Sequence, residues 1–124
     1  MIQYLMVGIG GLLGAISRYA IDGWISRRMG ALFPYGTFVI NISGSFILGL
    51  FATTITERFI VHPHWRLLVA IGFVGAYTTF STFEYETHKL IEEGSFALAL
   101  FNVLLSVAVG LAAVRLGIVL ARKI

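Results

Sequence analysis

Between Gly72 and Phe83 the chain reads Gly-Phe-Val-Gly-Ala-Tyr-Thr-Thr-Phe-Ser-Thr-Phe. These residue types suit ion handling better than helix building. Two glycines, a β-branched Thr pair and a cluster of hydroxyls all favour helix less than Ala or Leu. Yet the stretch lies inside an apolar part of the chain. In lipid every backbone polar group must be satisfied, so a weak helix at membrane depth calls for a reason. The usual one is a broken helix whose freed carbonyls and amides meet an ion or substrate. The stretch is therefore read as the site of an ion pathway.

Other residues can contribute to such a path. Phe80 and Phe83 are three apart and share a helix face. A Phe pair at that spacing is ordinarily packing, so it carries weight only beside the break. Thr79, Thr82 and Glu86 follow i, i+3, i+7 and form a polar strip alongside. Asn41, within Asn41-Ile42-Ser43-Gly44-Ser45, is an amide that costs free energy in a membrane helix unless paired. Interhelical glue and pore donor are equal readings for it. Asn102, Ser106 and Gly110 recur at i, i+4, i+8. Packing explains Ser106 and Gly110, while Asn102 adds a second intramembrane amide. His62, Pro63 and His64 read as a solvated turn, not a helical metal pair.

The elements that must position these residues follow from composition. The chain has 124 residues, 58% of them hydrophobic and 12% charged, with a mean hydropathy of +0.91. An ordinary soluble domain carries about twice that share of charge, which points to a membrane protein. There is no Cys, which excludes disulfides, thiolate catalysis and Cys metal sites. The basic residues behind the net charge of +3 are dispersed, as membrane-flanking charges are, so no nucleic-acid partner is expected. No cleavable signal peptide is read at the amino terminus. A spanning helix needs about 20 mostly apolar residues. Four stretches qualify, at about residues 3–21, 36–56, 65–90 and 96–121, the third only with a break. Residues 1–124 are thus expected to form one all-α transmembrane domain of four helices.

Gly10 and Gly14 in the first span form a GxxxG pair that lets another helix approach closely. Arg18 is read as snorkelling to the headgroups, the alternative being an inward ion pair. Four spans put both termini and the second loop on one side, with Arg58, Arg66, Arg122 and Lys123. The other side has Arg27, Arg28 and Lys89, with Arg18 nearby. The positive-inside rule finds a near tie, which predicts weak control of orientation. The same chain can then insert both ways up and pair antiparallel with itself.

Three segments together carry a family resemblance: Gly72-Phe-Val-Gly75-Ala-Tyr-Thr78-Thr79-Phe80-Ser81-Thr82-Phe83, Asn41-Ile-Ser-Gly44, and Gly10-Gly-Leu-Leu-Gly14-Ala-Ile-Ser-Arg18-Tyr. The chain resembles the Fluc (CrcB) fluoride channels over essentially its whole length. The resemblance implies a dual-topology antiparallel homodimer in the bacterial or archaeal cell (inner) membrane. It also implies two fluoride pores and a structural sodium ion on the dimer axis. Fluoride leaves the cytoplasm through such pores, which reduces its toxicity. By the same resemblance, the pores are lined by Phe80 and Phe83, with Asn41, the hydroxyls of Ser81 and Thr82, and Ser106. The sodium is held by backbone carbonyls of Gly75 and Thr78, and the backbone is expected to leave helical geometry at Gly75. The chain departs from some members in having Asn102, not Tyr, one turn before Ser106.

The residues suit that ion. Fluoride holds its water tightly, so a dry apolar pore would be a large barrier. Asn, Ser and Thr donate hydrogen bonds in place of water. Phe rings present a positive edge to an anion without a fixed charge that would trap it. The rival readings are weaker. A small dual-topology proton-coupled multidrug exporter needs a membrane-buried carboxylate, and the first, second and fourth spans have none. A non-transporting scaffold explains the glycines but not the hydroxyl-rich break. An enzyme lacks a nucleophile–base constellation.

Overall fold

A computed structural model describes residues 1–124, all of them in helices or short connections. Helix α1 runs Ile2–Met29. Helix α2 runs Tyr35–Thr53 and continues in a wide i→i+5 turn to Arg58. The third span breaks in two. Its first half, α3, covers residues 63–77: one turn at Pro63–Trp65, wide π-type turns over Arg66–Val74, and α-geometry at Gly75–Tyr77. Its second half, α4, runs Phe80–Glu92. Helix α5 runs Phe96–Lys123. Four helical segments are long and apolar enough to cross a membrane: Ile2–Met29, Tyr35–Arg58, Pro63–Glu92 and Phe96–Lys123.

The first span is longer than the apolar count predicts. Counting apolar residues measures what lies in lipid, whereas the helix itself ends where its backbone is stopped. No breaker intervenes after Ile21, and Arg27 and Arg28 in the last turn favour the negative end of the helix dipole. Gly30 ends it with φ +80, a conformation that glycine adopts freely. Arg28 also stacks over Trp24 at 5.0 Å. The connection from there to α2 is correspondingly short.

Glycines set the helix crossings. A Cβ on Gly10 or Gly14 would collide with the backbone carbonyl of Leu68 or Phe73, so the GxxxG face packs on α3. Gly72 answers from α3, where a Cβ would stand only 2.7 Å from the Val7 carbonyl oxygen. A second crossing joins α2 and α5, where a Cβ on Gly49 would collide with the Val114 backbone and one on Gly117 would stand 2.6 Å from Leu50 N. Without a hydrophobic drive between helices in lipid, such backbone proximity is what association rests on. Only 22 of 124 residues are buried in the single chain, and large apolar side chains such as Leu12, Ile16, Leu104 and Leu111 stand outward. That inside-out distribution is the one a lipid solvent selects.

The glycine contacts generate a paired prediction. Gly10→Ala must push the α1 and α3 backbones apart and should destabilise by about 1–3 kcal/mol. Gly8, with nothing within 4 Å of a Cβ, is the control; Gly8→Ala should stay within about 0.5 kcal/mol of the parent. Thermal unfolding of the two purified variants in one detergent checks both.

Candidate functional site

The helix stops at Thr78. Thr78 has φ −79, ψ 156 and Thr79 has φ −149, ψ 112, both extended. Gly75 is not where helical geometry is lost: its φ −60, ψ −36 are those of an ordinary helix residue. The break falls three residues later because the β-branched Thr pair accepts extended backbone readily. What sets Gly75 apart is open space, since nothing lies within 4 Å of where a Cβ would stand. The requirement for Gly44 is steric too: its Cβ would collide with the Thr78 side chain.

Two side chains close the break. The Thr79 N–H donates to Asn41 Oδ1 at 2.8 Å, and Asn41 Nδ2 donates to the Thr79 carbonyl at 3.1 Å. One amide side chain thereby satisfies both backbone groups of one residue, as a strand partner would. Thr79 then caps α4: its Oγ1 accepts from the Thr82 N–H at 3.3 Å and donates to Thr82 Oγ1 at 3.0 Å. Thr79 is thus part of the polar strip, but as an N-cap rather than a helical residue.

Diverting these amides frees carbonyls. In an unbroken helix Thr79 N–H would bond the Gly75 carbonyl, and Thr82 N–H the Thr78 carbonyl. Both donors are taken by side chains instead. Gly75 and Thr78 therefore keep oxygens without their helical donors, the donor chemistry a hard cation takes. The sodium-holding pair expected from the resemblance fits the chain on this count.

Clefts flank Thr79 on two sides. One, of about 230 Å³, is lined by Asn41, Ser45, Val74, Thr78, Thr79 and Phe80. The other, of about 160 Å³, is lined by Arg18, Asp22, Thr37, Thr79 and Thr82. Arg18 thus lines a cleft between helices, and no carboxylate lies within ion-pair distance of it. A wider opening of about 340 Å³ near Gly30–Pro34 shares Asp22 and Thr37 with that cavity. Glu86 lines this opening and accepts a hydrogen bond from Thr37 Oγ1 at 2.8 Å.

The phenyl rings remain neighbours, with centroids 6.0 Å apart. Their surroundings differ: Phe80 is 74% exposed in the single chain, and Phe83 is 8% exposed. Ser81 lies exposed beside Phe80 and makes no side-chain hydrogen bond. Ser106 stands apart from the clefts and donates to Asn102 Oδ1 at 3.3 Å. The structure therefore gathers Asn41, Thr78, Thr79 and Phe80 at one cleft and leaves Ser106 to a separate chain of hydrogen bonds.

Comparison with known proteins assigns the site to a lineage. A family described as CrcB-like protein, Camphor Resistance (CrcB), matches residues 5–118. This chain belongs to the CrcB family. The protein named fluoride-specific ion channel FluC of Solibacter usitatus is 50% identical over 121 residues, 98% of this chain and 99% of its own length. That of Acidobacterium capsulatum is 47% identical over 122 residues, 98% of each chain. That of Geobacter metallireducens is 41% identical over 124 residues, the whole of both. The resemblance carried by the three sequence segments thus holds along the CrcB chain, and the protein is a multi-pass membrane protein.

Two participants escaped the sequence reading. Tyr77, buried to 4% exposure, shares a 2.9 Å hydrogen bond with Ser43 Oγ and stacks on Phe73 at 5.6 Å. Thr87 accepts from Asn102 and donates to the Phe83 carbonyl. Thr87 lies one helical turn beyond Phe83, a spacing that could have drawn notice; nothing in the sequence pairs Tyr77 with Ser43.

The Asn41 clamp generates a stability prediction. Asn41→Leu strands the N–H and C=O of Thr79 in an apolar surround, at about 1–3 kcal/mol for each. The thermal midpoint in detergent should fall well below that of the parent, and the Thr79 amide should lose its protection from hydrogen exchange. An unchanged exchange rate at Thr79 would refute the clamp.

Proposed function

We propose that this chain is a fluoride-specific ion channel that lets fluoride leave the cytoplasm and so reduces its toxicity. The observation that carries the proposal is near-full-length identity of up to 50% to proteins named fluoride-specific ion channels. The cleft at the helix break supports it physically. Phe80 lines that cleft with an aromatic ring whose edge can attract an anion, and hydroxyl and amide groups beside it can stand in for part of the water that fluoride sheds. Arg18 adds a positive charge to the neighbouring cavity, which Asp22 also lines without an ion pair to it. The pore set we propose is Asn41, Phe80, Phe83, Ser81, Thr82 and Ser106, with two qualifications. Asn41 acts first as the clamp on Thr79, with one amide hydrogen left to offer. Ser106 reaches the ion path only through its neighbours.

The working unit in this proposal is an antiparallel homodimer with dual topology. Its support is the outer face of the third span, where Ile71 and Phe80 are exposed and Gly75 is open. A two-fold partner on that face would cover an aromatic ring and bring two sets of freed carbonyls together. Gly75 and Thr78 of each copy would hold a sodium ion, whose charge fixes the paired helices and raises the potential for an anion. The proposed setting is the inner cell membrane, and transport rather than catalysis is the activity.

Liposome efflux with fluoride and chloride electrodes tests the channel. The parent should pass fluoride and exclude chloride; proton-coupled movement of organic cations instead would establish the exporter reading. Phe80→Ile keeps bulk and apolarity but removes the ring quadrupole, so fluoride flux should fall strongly. Phe80→Met, polarizable and adaptable, should lose less. Phe83→Ile should match Phe80→Ile, but trimming a buried aromatic can itself destabilise by about 3–5 kcal/mol. Exposed Phe80 is therefore the cleaner probe. Monodisperse Phe80→Ile and Phe83→Ile variants that conduct at the parent rate would reduce both rings to packing.

Dual topology is tested by Cys labelling in intact cells. His62 and Ser95 lie in connections on opposite sides of the membrane. Cys introduced at either position should be labelled from outside. If only one position ever reacts, a single orientation prevails and the antiparallel dimer falls.

A further inference from the structure

Helix α4 is held to the rest of the chain by three directional contacts, one at its start and two on different faces near its middle. Asn41 grips Thr79 at its start, and Thr37 reaches Glu86 near its middle. The third contact comes from α5, and nothing described so far accounts for it. Ser106 Oγ donates to Asn102 Oδ1 at 3.3 Å, and Asn102 Nδ2 donates to Thr87 Oγ1 at 2.9 Å. Thr87 Oγ1 then donates to the Phe83 carbonyl at 2.7 Å. All three bonds run the same way and end on the backbone of Phe83.

We infer that Asn102 is a positioning residue for Phe83: acting through Thr87, it sets the rotation and height of the half-helix that carries the ring, without touching the ion itself. The inference rests on the channel reading given above. Three observations support the role. Asn102 is 1% exposed, and with Ile40 it is the most completely buried large side chain in the protein. It lines none of the clefts around the helix break and its side chain is closed to the surface. Its bond to Thr87 is the one side-chain hydrogen bond between α5 and α4. Apolar packing tolerates small rotations of a helix, whereas a hydrogen bond weakens steeply with angle and distance. Phe83 is itself buried, so its ring follows the α4 backbone closely.

The test uses the full chain in liposomes with four variants: Asn102→Leu, Thr87→Val, the two combined, and Thr87→Ser. Fluoride efflux is one readout. The other is the ¹⁹F NMR resonance of 4-fluorophenylalanine incorporated in place of Phe83, which reports ring position whether or not ions flow. Asn102→Leu and Thr87→Val should each lower fluoride flux about tenfold or more, the scale set by one lost buried hydrogen bond. The combined variant should be no worse than either alone, because both break one linkage. Thr87→Ser keeps the hydroxyl and should conduct like the parent. The fluorine resonance should move alike in Asn102→Leu and Thr87→Val and stay in place in Thr87→Ser.

Additive losses, or an unmoved resonance in either impaired variant, overturn the positioning role. If Asn102→Leu fails to fold, Thr87→Val and Thr87→Ser decide alone: a Thr87→Val chain with parent flux and an unmoved resonance ends the proposal. A parent chain that carries no fluoride overturns the channel reading instead, and the resonance still reports whether Asn102 holds Phe83.

Discussion

The double hydrogen bond between Asn41 and the Thr79 backbone is the constraint on which the site depends. A helix broken at membrane depth leaves amides and carbonyls that lipid cannot satisfy. Asn has both a donor and an acceptor on one planar group, so it pairs with both backbone groups of one extended residue. An ionised Asp could accept but not donate, and Ser or Thr would have to make both bonds from a single oxygen. Fixing Thr79 in this way has two consequences. Its hydroxyl is aimed at the first turn of α4, where it caps Thr82. Its N–H is turned from the Gly75 carbonyl, which is left without its helical donor. The cap, the unpaired carbonyl and the placement of Phe80 all descend from one side chain on α2.

The molecule divides its structural work between two kinds of contact. Crossings α1–α3 and α2–α5 are built from glycines meeting backbone atoms, through Gly10, Gly14 and Gly72 in one and Gly49 and Gly117 in the other. Such crossings depend on close approach and use no side-chain polarity. Helix α4 is different. It carries Glu84, Glu86, Lys89 and Glu92 and buries only Phe83, Thr87 and Leu90. Polar side chains from α2 and α5 hold it: Thr37, Asn41 and Asn102. The ion pair of Arg122 with Glu57, at 2.9 Å for both contacts, sits exposed at the far end and adds little of this order.

Much of this was legible in the sequence, and the limits have physical causes. Four spans and the break follow from composition and from the clustered weak helix formers, both local properties. The break was expected to bend the chain at Gly75, because glycine is the general-purpose breaker; the extended residues are Thr78 and Thr79. A glycine's permissiveness does not reveal whether its conformation or its lack of a Cβ is being used. The choice between glue and pore for Asn41 could not be made from one chain segment, since its partner lies 38 residues away. Ser106 was assigned to the pore by resemblance, and its position behind Asn102 depends on how α5 is rotated. Helix rotation is a tertiary quantity that periodicity leaves open when nearly every face is apolar.

The two kinds of contact also bear on how an anion can be selected without being trapped. An aromatic edge attracts weakly, and its attraction falls off quickly with distance and tilt. A pore built on such edges gains little from strong binding at any one point and depends on where each ring stands. Backbone–glycine crossings locate whole helices but leave their fine rotation to the surrounding packing. Hydrogen bonds at the start of α4 and, on two faces, at adjacent Glu86 and Thr87 constrain that rotation directly. Every buried side-chain nitrogen and oxygen in the chain has a hydrogen-bond partner, so none of these tethers is slack for want of a mate. Polar groups that would be costly in lipid are thus placed where angular precision matters most, around the half-helix that carries Phe80 and Phe83.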